Sequence, residues 1–167
     1  MAMAGESALS GRFDGWASFQ DHLNAGMAVV VADPVDLYLC DLDYKHWPLG
    51  SKSIVDAFHQ WVMAGGRAQC HALALQWDEV VRAHPRWLAW RQPWLHRVKC
   101  FQMPEELVQG LHPLFIAKDR LALRVLDERT GAGIWSRDPV TMGEWLTELD
   151  VILQRSQEAK PGGTLGL

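Results

Sequence analysis

The chain has 167 residues, 49% of them hydrophobic, enough for one packed domain that needs neither disulfides nor a metal to fold. A formal net charge of −4 and a pI of about 5.9 exclude a protein whose whole surface attracts nucleic acid, leaving room only for a local basic patch. The cysteines, Cys40, Cys70 and Cys100, are odd in number, lie in apolar runs and have no CxxC or HxxxH neighbours, so they read as buried free thiols and not as a metal site.

No charged n-region followed by an apolar h-region opens the sequence, and the longest apolar run, Met27 to Ala32, is far short of the ~18 residues a membrane helix needs. The expectation is a cytoplasmic protein without a membrane segment. Residues 1–12 are small and polar and read as a flexible arm. From Phe13, apolar Trp16, Phe19 and Leu23 recur at helical spacing, with Asp14 as N-cap and an end near Gly26. Asp33-Pro34 breaks the chain, and Val35 to Asp41 suits a buried strand.

Asp41, Asp43 and His46 follow in a loop at that strand's carboxyl end. Two acids and a histidine there suit either a metal or loop-ordering hydrogen bonds, and the latter is the simpler reading. Ser51 or Ser53 caps a helix with the face Ile54, Val55, Phe58, Trp61 and Val62, which Gly65-Gly66 stops. Ala68 to Leu75 returns as a strand, making a parallel pair with a right-handed crossover.

Trp77 to His84 reads as a short helix, and Pro85 opens another that Pro93 ends. The window Arg82 to Lys99 carries five basic residues and no acid, interleaved with Trp87, Trp90 and Trp94. Such a pattern suits anion or single-stranded nucleic acid binding, with Arg86, Arg91, Arg97 and Lys99 as the anion-binding set. Helical spacing of the tryptophans favours a core or interface face instead. Arg97 to Phe101 is a third strand, Pro104 opens a turn, Leu111 to Asp119 and Leu121 to Leu126 form a hairpin, and Thr130 to Gly133 turns into a short strand at Ile134-Trp135. Asp138 caps and Pro139 begins a last helix, and residues 158–167 form an extended tail that docks through Leu165 and Leu167.

Within the hairpin, His112 and Asp119 are spaced as in His-x-Lys-x-x-x-x-Asp, with Leu114 at the lysine position. On these residues, the Gly-Ile-Trp-Ser-Arg-Asp-Pro segment and the closing helix, the chain from about Val35 to Ser156 resembles one half of a phospholipase D-like domain. It is similar, more narrowly, to a group of bacterial domains of unknown function in which that motif is eroded. The resemblance implies a single α/β domain over residues 13–157, with a mixed, mostly parallel sheet flanked by helices.

In working members of the superfamily two such motifs meet, one histidine attacks phosphorus and the other protonates the leaving group. The lysine holds a phosphate oxygen where charge collects, which leucine cannot do. Lys118 lies too far along the strand to replace it, Pro113 removes a ladder donor, and Arg120-Leu-Ala-Leu-Arg124 stands where small polar residues are expected. The expectation is therefore a non-catalytic binding or scaffold domain in which His112 and Asp119 are a catalytic remnant, without cofactor or metal. The resemblance and the nine tryptophans imply a homodimer, with an anionic ligand or protein as partner and nucleic acid disfavoured. The alternatives are a dimeric phosphodiesterase or nuclease using His112 and a single-stranded nucleic acid binder using Arg82 to Lys99.

Overall fold

The computed structural model describes residues 8–162. In chain order these form β1 (Ser10–Asp14), α1 (Trp16–Ala32), β2 (Leu37–Cys40), α2 (Lys52–Met63), β3 (Cys70–Ala74), α3 (Asp78–Ala83) and α4 (Pro85–Arg91). There follow β4 (Val98–Gln102), β5 (Leu114–Ala117), β6 (Leu121–Asp127), β7 (Ala132–Ser136), α5 (Pro139–Gln154) and β8 (Gln157–Ala159). The strands make one eight-stranded sheet in the order β1-β7-β6-β5-β2-β3-β4-β8.

Alternation along the strands splits the interior in two. Leu37, Leu39, Phe115, Ala117, Leu123 and Val125 face Phe19 and Leu23 of α1, Phe58 and Trp61 of α2, Val80 of α3 and Trp87 of α4. Cys40, Leu114, Ile116 and Ala122 face Met142, Trp145 and Leu149 of α5. Four helices therefore cover one face of the sheet and α5 the other. Two helix starts follow the sequence signals: the Ser51 hydroxyl accepts from Ile54 N, and the Asp138 carboxylate accepts from Thr141 N, with Pro139 at the first helical position. Asp14 does not cap α1: it ends β1, and Gly15 stands at the N-cap without a side-chain bond.

Three expectations change. The sheet is mixed but mostly antiparallel: only β2 with β3 and β3 with β4 run parallel, against five antiparallel pairings. The crossover helix α2 forces the first parallel pair. From β5 to β7 the strands are joined by turns too short for crossovers, so they run as an antiparallel meander. Helix α1 does not end at Gly26 but runs to Ala32, because Met27 and Val30 continue its buried face. Gly26 stays in the helix because it permits close packing: a Cβ there would lie 2.9 Å from Leu121 Cδ2.

The ends of the chain carry the third change. Ser10–Asp14, partly within the expected arm, pair with β7, and Gln157–Ala159 at the start of the tail pair with β4. Residues 1–7, and Leu165 and Leu167 of the tail, lie outside the described residues. No helix among the described residues is long and apolar enough to cross a membrane.

Candidate functional site

Pro113 cannot donate to a ladder, so β5 starts only at Leu114; the Pro113 carbonyl still accepts from Val125 N at 3.0 Å. That bond fixes the hairpin register, in which Leu114 stands directly opposite Arg124. Cβ atoms of such partners lie ~4.5–5.5 Å apart. The position where the resemblance places a lysine is thus faced across the hairpin by a guanidinium.

His112, Leu114 and Arg124 line one pocket of about 50 Å³ with Cys40 of β2 and Glu148 and Leu149 of α5. This is room for a few waters or a small anion. His112 is half-buried and Leu114 buried. Arg124 lies 5.5 Å from the Trp145 ring centroid and 3.3 Å from Glu148 Oε1, where Glu148 is largely exposed. The cation is therefore held by an indole face on one side and a water-facing carboxylate on the other. A pair of this kind is weak enough for an anion to compete with it.

Asp119 does not join His112. It sits exposed in the β5–β6 turn with φ of 65°, at the other end of β5, on the order of 20 Å away by strand rise. Its neighbour Lys118 is exposed and lines a different cleft with Asp36 and Arg67.

The proposed anion-binding residues also fail to converge. Arg91 is buried and its Nε donates to Val98 O at 2.8 Å; Arg97 Nε donates to Ala68 O at 2.8 Å, with the guanidinium 5.4 Å from the Trp61 ring centroid. Arg86 is exposed on α4, whereas Lys99 is half-buried on β4, opposite His71 of β3. Trp87 is fully buried, and Trp90 and Trp94 pack against the same core, where Trp90 Nε1 donates to His59 Nδ1 at 3.2 Å. These tryptophans form a helix face turned inward, not a stacking platform.

The loop after β2 is ordered by its acids. The buried Asp41 carboxylate accepts from Leu42 N at 2.8 Å and Tyr44 N at 3.1 Å, and Asp43 accepts from Lys45 N. Burial pushes the Asp41 carboxyl up to about 7, against the pull of its two backbone bonds. His46 stacks on Trp16 with centroids 4.6 Å apart. The strap is completed by His84, whose Nδ1 accepts from Gly50 N at 3.1 Å, leaving Nε2 to donate to Tyr44 O at 2.8 Å. Among the described residues no three His, Cys, Asp or Glu side chains gather as metal ligands.

Sequence reasoning missed Arg124 and Glu148. Arg124 was legible only as a departure from a small polar segment; the hairpin register, counted back from the Asp119 turn, was the signal that could have found it. Glu148 reaches the pocket through the docking of α5, which no local pattern encodes.

No family model and no curated protein matches the chain. Solved structures do. The structure of TrmBL2, an archaeal chromatin protein with a novel mode of DNA binding, superposes with a TM-score of 0.64 at 8% identity, over 95% of this chain and 56% of that one. The chain thus spans little more than half of TrmBL2. NucT from Helicobacter pylori gives a TM-score of 0.58 at 9% identity over 90% of this chain and 98% of its own. Nuc from Salmonella typhimurium, a phospholipase D family member, gives 0.60 at 6% identity over 90% and 99%. The chain has a phospholipase D-like fold.

Proposed function

We propose that this phospholipase D-like fold serves as a non-catalytic binding domain whose His112–Arg124 pocket takes a phosphate-sized anion. One observation carries the reading: Arg124 stands across the hairpin from Leu114, so a cation is kept beside the histidine although the lysine is gone. A guanidinium fork matches two phosphate oxygens at once, and an imidazole N–H supplies a third donor. Binding needs no more than this. Catalysis needs more, since Leu114 stands where the lysine would hold the phosphate oxygen and Asp119 lies at the far end of the strand from His112.

Titration of the full chain with inorganic phosphate tests the reading. Saturable binding that Arg124→Leu weakens at least tenfold is the expected result; binding indifferent to Arg124→Leu overturns it. Turnover of a chromogenic phosphodiester, lost in His112→Ala, would replace the binding domain with the phosphodiesterase alternative. Because one motif makes at most half of a two-histidine site, the reading also carries a homodimer. Sedimentation should show dimer at micromolar concentration.

A second reading, nucleic acid binding, is favoured by the DNA-binding neighbour TrmBL2. The Arg82 to Lys99 window does not support it, since its tryptophans face the core and Arg91 and Arg97 are committed to backbone carbonyls.

A further inference from the structure

A cleft of about 390 Å³ lies at the opposite end of the β5–β6 hairpin from His112, on the face covered by α1. Its walls are His22, Gly26 and Val29 of α1 on one side, and Arg120, Trp135 and Arg137 on the other. None of the residues lining it is an acid, in a chain whose net charge is −4. The volume falls in the range of small-ligand sites.

The indole is placed by the sheet. Trp135 of β7 pairs with Gly11 of β1, and a Cβ on Gly11 would come within 2.6 Å of the Trp135 Nε1, so the ring lies across the bare glycine. Its other face borders the cleft beneath the exposed Arg137 side chain. The Arg137 guanidinium sits 5.5 Å from the ring centroid, and the His22 ring is 6.3 Å away, tilted by 32°. Arg120 is partly committed: it pairs with Asp33, and its Nη1 donates to Asp119 O at 3.1 Å. Arg137 is exposed, and among the described residues no carboxylate pairs with its side chain.

From a flat aromatic edge with a guanidinium and an imidazole beside it, we infer that this cleft binds a nucleotide unit, the base against Trp135 and the phosphate between Arg137 and His22. Aromatic rings receive bases of any identity, and Arg binds phosphate through paired N–H donors. The unit is either a free nucleotide or one residue of a single strand. The inference is independent of the His112–Arg124 pocket, which lies on the other face.

The full chain titrated with deoxyadenosine monophosphate, inorganic phosphate and a ten-residue single-stranded oligodeoxynucleotide at low salt provides the test. The monophosphate should bind at least tenfold more tightly than phosphate, and Arg137→Ala should weaken it at least fivefold, while Lys52→Ala, a remote exposed cation, should not. The accompanying change in tryptophan emission should vanish in Trp135→Phe, a variant that keeps a ring and fills the same place. A much tighter oligonucleotide, displaced by the monophosphate, identifies the unit as part of a strand; comparable affinities identify it as a free nucleotide. No saturable binding, binding indifferent to Arg137→Ala, or an emission change that survives in Trp135→Phe overturns the inference.

Discussion

Arg124 illustrates how a residue gains a role from what stands opposite it. Its guanidinium is poised between Trp145 and the exposed Glu148, so Glu148→Gln should free it and strengthen phosphate binding severalfold, the reverse of Arg124→Leu; calorimetric titration of the two variants reads both. Asp41 is a different kind of residue, a buried acid spent on two backbone N–H groups. Its carboxyl titrates near 7 in the folded chain against 3.8 as its ordinary value, so folding holds the proton more tightly. The stability this contributes is fully present below about pH 4 and is lost as pH rises through 7. Wild type should therefore lose roughly 4 kcal/mol relative to Asp41→Asn between pH 4 and 8, at ~1.4 kcal/mol per tenfold change in proton affinity, read by urea unfolding at several pH values. The three cysteines are buried, with the Cys100 thiol pushed up to about 12 by burial and those of Cys40 and Cys70 also raised. A thiol reagent at pH 8 should label none of them in the folded chain within minutes and all three in denaturant.

At the scale of the element, the helix boundaries were mostly written locally. Ser51, Pro85, Asp138 and Pro139 act where such residues act in any helix, because a cap needs only its own next turn. Asp138→Ala removes acceptors for both Thr141 N and its hydroxyl, at 3.0 and 2.8 Å, and should cost about 1 to 2 kcal/mol in chemical denaturation. Trp61→Ala should cost more, roughly 3 to 5 kcal/mol, since a fully buried indole leaves a cavity and Val35 O loses its donor. Gly26 could not be read locally. A glycine after a helical run is an ordinary stop signal, and only the approach of Leu121 shows that it is instead a contact point within a longer helix.

For the whole molecule, the tryptophan count pointed outward and the packing points inward. All nine are buried or half-buried within a single chain, five of them below a tenth exposed, so their number does not by itself demand a partner surface. The homodimer then rests on the incompleteness of a one-histidine site, and ultracentrifugation showing only monomer at micromolar concentration would remove it. What the sequence determined alone was the elements other than β1 and β8, the two inward helix faces and the hairpin with its His112 and Asp119, because period, caps and turns act over a few residues. The tertiary structure decided strand direction after β4, the pairing of Leu114 with Arg124, and the meeting of α1 with Trp135. Those depend on which distant segments share surface, a choice made by burial summed over the whole sheet and not by any stretch of chain within it.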